Sequence, residues 1–303
     1  KSLKKAARQS VGPELEKRIN IIIETGLIEL QDDFKIYWKK SPIGKLSNGK
    51  DYLNPNINLL VDDVIEQPER KKLTIFLNKW LQNKIKTILK SLVDLKDLKD
   101  KNSSIKALAY QLYENNGVLK RDQVLDYVKN LGQNERKVLR ELGVKFGRYH
   151  VFLHQLIKPE AVSLRTLLWK NYYQKNFNLK PPKFGLNFLN DDKIKNKNFM
   201  LLCGFEKFDN YYVRIDILER LFMQIISSNT DQEKEIKMKP EMLNLLGCNK
   251  DNFKKLLKSM NYKILEKNND IFFKYFPRKT FKKSVKKITK ESPFGVLKNL
   301  NLN

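Results

Sequence analysis

Apolar and polar positions alternate between helical and strand periods along the chain, and the switches mark its elements. GPELEKRINIIIET (12–25) has helical spacing, with Pro13 placed for a first turn and Gly26 at the end. FKIYWKKSPIGKL (34–46) alternates and turns near Ser41-Pro42, which predicts a hairpin over 34–47. Leu73, Phe76, Leu77, Trp80, Leu81, Ile85, Ile88 and Leu92 form one stripe, which predicts a long amphipathic helix over about 68–94. Residues 96–101 are a charged break.

The block 103–155 is predicted as helix, short strand (GVLK), two helices (about 121–130 and 133–142) and a strand pair, GVKFGRYHVFLH, bent at Gly147. That is the order of a winged helix, a relative of the helix–turn–helix. After the connector KPPKFGLNF (180–188), NFMLLCGF and NYYVRI are read as strands and 216–228 as a helix. EIKM follows as a strand, PEMLNLLG and KDNFKKLLKSM as helices, and YKILEKNNDIFFKYF as a hairpin turning at Asn268-Asn269-Asp270. NNGVLKRDQVLDYVKNLG beside KEIKMKPEMLNLLG allows a weak internal repeat, against which the differing lengths of the helix–turn–helix parts argue.

The predicted class is therefore α+β, predominantly helical, with small hairpins and winged-helix-like units. The segments are 1–62 (helix and hairpin), 63–100 (long helix), 103–175 (first winged-helix-like unit and a following helix), 176–197 (linker), 198–278 (second unit) and 279–303 (basic tail).

Charge changes the picture most. The 303-residue chain carries a formal +26, which points to a polyanionic partner. There are 49 Lys against 11 Arg. Lys is a point charge, whereas Arg reads phosphate and base edges in a fixed fork, so this balance favours diffuse electrostatics over sequence readout. Three places concentrate the candidates. On the first wing, Lys145 and Arg148 flank the bend and Tyr149 is placed to stack a base. On the helix near 250–260, Phe253, Leu256, Leu257 and Met260 share one face, and Lys250, Lys254 and Lys258, with Lys255 beside them, line another. Beyond Pro277, Arg278, Lys279, Lys282 and Lys283 begin a run of seven basic residues without an acid. Aromatics among such charges stack bases while the cations follow phosphates.

Two cysteines, Cys203 and Cys248, in no paired motif suit a reducing, cytoplasmic setting. No apolar run approaches the roughly 18 residues of a membrane span, so no membrane partner is expected. The chain opens on Lys1 without a secretory signal, which leads us to expect a piece of a longer polypeptide.

Catalytic patterns are sparse. GKLSNGKD (44–51) matches a phosphate-binding loop except that Asp51 stands at the hydroxyl position that would ligate Mg²⁺. The following YLNPN reads as loop rather than the required helix. His150 and His154 are four apart, but His150 falls in a predicted strand. The pairs Asp32-Asp33, Asp62-Asp63 and Asp191-Asp192 fall in predicted loops. No catalytic residue, metal site or cofactor is expected in this chain.

Several stretches, in order, resemble one family. LGVKFGRYHVFLHQLIKPEAVSLRTLLW (142–169) is similar to a pattern of Gly-Val-Arg-Phe-Gly, Tyr-His, Leu-Lys-Pro and Leu-Leu-Trp. WKKSPIGKL, Trp80-Leu81, YVRIDILERL, MLNLLGCNKDNFKKLLKSMNYK and SPFGVLKNL match further pieces. The pattern resembles the region behind the motor in bacterial helicase-related proteins, relatives of the DExH RNA helicase of the mitochondrial RNA degradosome. Lys145 in place of Arg, His154 in place of Pro and Asn261 in place of Gly depart from it. The resemblance implies a superfamily 2, ATP-dependent RNA-unwinding parent whose motor, with its Mg-ATP, lies N-terminal to this chain. It implies that the chain binds single-stranded RNA or partners for that motor, a ribonuclease among them. The alternatives are a protein-interaction platform that touches no RNA, marked by an exposed apolar patch, and a winged-helix DNA-binding protein, against which the lack of Arg on the reading helix argues.

Overall fold

The computed structural model describes residues 2–61, 65–96, 98, 103–174, 178–190, 196–227, 235–267 and 270–276, with side chains from residue 12 onward. About 53% of the chain is helical and 22% is strand, in 11 helices and small antiparallel sheets among the described residues, so the fold is α+β.

The N-terminal part is a four-stranded meander, β1 (Ile28–Leu30), β2 (Lys35–Trp38), β3 (Ser41–Ser47) and β4 (Asn56–Leu59), in sequential order. Its outer strands extend the hairpin read from the sequence. Helices α1 (Ser2–Thr25) and α2 (Gln67–Ile88) pack with it, and Ile36, Leu73, Leu77 and Leu81 are buried between them. Two boundaries differ from expectation. Pro13 lies inside α1 instead of opening it, because Lys4 to Arg8, good helix formers, extend the helix upstream. The long helix breaks at Leu89 (φ −104°, ψ 27°), and α3 (Lys90–Lys96) follows with Ser91 buried.

Among the described residues, 103–275 repeat one plan three times, where the sequence allowed two, and the middle copy has one helix rather than two between its first and second strands. The first unit is α4 (Ser103–Glu114), β5 (Val118–Lys120), a 3₁₀ turn (Arg121–Val124) running into α5 (Leu125–Lys129), α6 (Gln133–Glu141), β6 (Val144–Phe146) and β7 (His150–Leu153). The second is α7 (Pro159–Tyr173), β8 (Phe188–Asn190), α8 (Lys197–Leu202), β9 (Phe205–Phe208) and β10 (Tyr211–Arg214). The third is α9 (Ile215–Ser227), β11 (Ile236–Lys237), α10 (Pro240–Leu246), α11 (Lys250–Ser259), β12 (Tyr262–Lys267) and β13 (Asp270–Tyr275). Each sheet places its last strand in the middle: β5-β7-β6, β8-β10-β9 and β11-β13-β12.

The middle unit does not stand out in the sequence because NFMLLCGF reads there as a strand. It is helix α8 followed by the start of β9. Asn196 caps α8, its side chain accepting from Phe199 N at 2.9 Å, and Gly204 ends it at φ +84°. A short apolar run does not distinguish a buried helix from a strand, and here the flanking cap and stop decide.

Local chemistry also repeats. The residue before the second strand of each unit has a left-handed backbone: Gly143 (φ +89°), Gly204 (φ +84°) and Asn261 (φ +66°). Each donates its N–H to the carbonyl three residues back, Arg140, Leu201 and Lys258 respectively. Among the described residues, no helix is long and apolar enough to cross a membrane.

Candidate nucleic-acid interface

In the first sheet, side chains alternate between two faces. Val144, Phe146, Val151 and Leu153 face the main core. Lys120, Lys145, His150 and Phe152 face the other way, where Phe152 packs with Ile215 of the third unit. The wing therefore leans on its neighbours rather than projecting freely.

Glu219 of α9 fixes the wing tip. Three successive amides, of Arg148, Tyr149 (2.9 Å) and His150 (2.8 Å), donate to its carboxylate. A Cβ on Gly147 would stand 2.3 Å from Glu219 Cδ, so the bend requires glycine by close approach. His150 is buried between two carboxylates, with Nε2 3.3 Å from Glu206 and Nδ1 3.3 Å from Glu219. Burial alone would lower its pKa, but the hydrogen bonds and charges of Glu206 and Glu219 raise it. Glu206, also ion-paired with Lys120 at 2.7 Å, is itself held below its ordinary value: burial pushes up, and His150 and Lys120 outweigh it.

This arrangement corrects one expectation. Tyr149 does not present a free stacking face, because its ring lies 4.0 Å from Phe222, centroid to centroid, in the third unit's core. Burial raises its phenol pKa. Lys145 and Arg148 are exposed, and neither forms an ion pair among the described residues.

On α11, Phe253, Leu256 and Leu257 are buried, while Lys250, Lys255 and Lys258 are exposed. Lys254 differs from its neighbours: it is half-buried and bound to Glu266 at 2.6 Å. Arg278, Lys279, Lys282 and Lys283 lie outside the described residues. So the predicted set separates into two exposed clusters, the wing and α11, with Lys254 withdrawn into an ion pair.

The sequence placed a helix at 133–142, but its cations were not among the candidates; this helix, α6, occupies in the first unit the place of α11 in the third. It exposes Lys137 and Arg140 opposite buried Leu139. The signal was present in QNERKVLRE, where cations recur at helical spacing. Also missed was a groove of about 480 Å³ where the first wing meets the second hairpin, with Arg121, Arg148 and Lys207 on its walls and Leu125, Tyr149 and Phe208 as apolar lining.

The phosphate-loop look-alike has structural duties. Gly44 lies in β3, where a Cβ would be 3.2 Å from Leu77. Gly49 packs so tightly that a Cβ would be 1.9 Å from the Asn54 carbonyl oxygen. Asp51 accepts from Leu53 N (2.9 Å), Asn54 Nδ2 (2.8 Å) and Lys96 Nζ (2.8 Å), so its carboxylate closes a turn. No helix opens there, and the residues do not fit a nucleoside triphosphate. His154 begins a 3₁₀ turn while His150 is in β7, so the pair does not share a helix face. Among the described residues no group of three His, Cys, Asp or Glu is placed to hold a metal. Burial pushes the Cys203 thiol up to about 12 and the Cys248 thiol up to about 11. Asp33 is occupied by Lys35 N and the Tyr37 hydroxyl, and the pairs at 62–63 and 191–192 lie outside the described residues.

Comparison of the chain with protein-family models, with curated proteins and with solved structures gives no match of significance.

Proposed function

We propose that this chain is a single-stranded RNA-binding accessory region of an ATP-dependent DExH helicase, serving a motor outside these residues. ATP and Mg²⁺ belong to that motor. The family placement rests on the ordered stretches quoted from the sequence. The nucleic-acid reading rests on one observation: equivalent helices of two repeated units, α6 and α11, each set exposed cations opposite a buried apolar face. The second helix of a helix–turn–helix is the element such folds offer to nucleic acid, and lysines there contribute mainly sequence-independent phosphate attraction.

Replacing Lys250, Lys255 and Lys258 together by Ala tests this. All three are exposed, so the melting temperature should hold while affinity for an oligouridine in low-salt filter binding falls about tenfold or more. Unchanged affinity rejects the role. Lys254 is left in place because removing it would also break its bond to Glu266.

One observation favours a protein partner as a second reading. Met223 and Ile226 on the outer face of α9 are 66% and 52% exposed. A chain that retains no RNA at any salt, yet captures a ribonuclease through that face, would replace the first reading with this one.

A further inference from the structure

The groove between the first wing and the second hairpin has its own chemistry. Its volume of about 480 Å³ suits one nucleotide. Three cations converge on it from three places: Arg121 after β5, Arg148 at the wing tip and Lys207 on β9. Their positions are held. The Arg121 guanidinium donates to Gly147 O, and its own N–H donates to Tyr149 O. The Arg148 amide is fixed by Glu219, while its side chain is exposed without an ion pair among the described residues. Lys207 is exposed, with its ammonium 5.7 Å from the Tyr212 ring centre.

The one buried acid in the wall does not cancel this field. Glu206 is 3% exposed and is already ion-paired with Lys120 at 2.7 Å. Asp122, at the rim, is the remaining acid, against Arg121, Arg148 and Lys207. Leu125 is 40% exposed, and Phe208 and Tyr149, both lining the groove, are half-buried, which leaves apolar surface for a base beside cations for its phosphate.

We propose that this groove is a single-nucleotide subsite for a single-stranded polynucleotide. Arg148 and Lys207 contact one stretch of phosphodiester, and a splayed base lies against Leu125 and Phe208. A duplex does not fit a recess of this size, so the site selects unpaired strands. The inference rests on the nucleic-acid reading above and adds the place where the strand is gripped, separate from α11.

The test uses the full chain with a fluorescein-labelled oligouridine of about a dozen nucleotides, titrated by anisotropy across a salt series. The double variant Arg148→Ala/Lys207→Ala should bind about tenfold more weakly. Its slope of log affinity against log salt should be shallower by about 1.4, as expected when two phosphates of a single strand are no longer neutralised. Duplex RNA of the same length should lose little affinity in the same variant. A second measurement uses the unaltered chain, so it does not depend on the variant folding: 5-iodouridine photocrosslinks should map to peptides carrying Leu125, Tyr149 or Phe208. Crosslinks confined to α11, or a double variant with unchanged affinity and slope, overturn the groove and leave the broader reading standing. An unaltered chain that binds no oligonucleotide overturns both. Equal binding of oligothymidine supports the subsite and removes RNA preference from it.

Discussion

Among the described residues, Arg165 is the largest fully buried side chain, and no carboxylate is among the partners that hold it. Its guanidinium donates to three backbone carbonyls, those of Asn116, Leu156 (3.0 Å) and Leu202. Asn116 follows the end of α4 and Leu202 is the last residue of α8, so the cation sits where the carbonyl ends of two helices converge. Burial lowers its pKa to about 10, which leaves it charged at neutral pH. The arrangement needs a planar fork. Arg165→Lys keeps the charge but cannot reach all three acceptors, and Arg165→Met strands them. Each should lower stability by about 2–4 kcal/mol, read as a shift in the urea midpoint, with Met at least as damaging as Lys. A Met variant as stable as the parent would show that those carbonyls find other donors. In the sequence this residue is one cation inside AVSLRTLLW. A lone Arg on an apolar stripe can reach solvent from its stem, so the pattern alone does not say that it is a bolt between units.

The three hairpins show what was legible at the level of elements. Helix–strand order in the first and third units could be read from periodicity, because α4, α9 and α11 have clean stripes and the final hairpin has a turn signal. The middle unit was hidden, since α8 is six residues long and mostly buried, which erases the polar face that marks a helix. The candidate site divides in the same way. Lys250, Lys254 and Lys258 of α11 were visible as an i, i+4 series, but the withdrawal of Lys254 to Glu266 was not, and the docking of Tyr149 on Phe222 joins residues 73 apart and leaves no local trace. The repeated left-handed residue gives a direct check on equivalence. At Asn261 the backbone has φ +66°, where the other two units carry glycine. Asn tolerates this region better than residues with a bulkier or apolar side chain, and glycine better still. Asn261→Gly should therefore be neutral or slightly stabilising, and Asn261→Ala should cost about 1 kcal/mol in chemical denaturation. If Ala and Gly behave alike, the turn is relaxing into another conformation and the equivalence of the three hairpins is weaker than the backbone suggests.

For the whole molecule, the contacts between units combine apolar seams with one polar cluster. Lys120 and His150 come from the first, Glu206 from the second and Glu219 from the third, so a four-residue cluster spans all three. Such a cluster contributes stability only in the charge state that satisfies it. His150 has a raised pKa in the fold, so its contribution is fully present below its ordinary value of 6.5 and drains away as pH rises through the folded value. Glu206 has a lowered pKa, so its contribution is present above its ordinary value of 4.5 and is lost as pH falls through the folded value. Together they confine the cluster's full strength to the interval between about 4.5 and 6.5. From pH 6 to pH 9 the melting temperature of the parent should therefore drop further, or rise less, than that of His150→Gln, which removes the titrating ring but keeps a hydrogen-bonding side chain. The comparison between the two proteins isolates this cluster from the general effect of discharging a strongly basic surface, which stabilises a +26 chain as pH rises and so acts in the opposite direction. Parallel melting curves for the parent and His150→Gln across this range would mean that the three units are held together by their apolar seams alone, with Phe152 on Ile215 and Tyr149 on Phe222 carrying the junction.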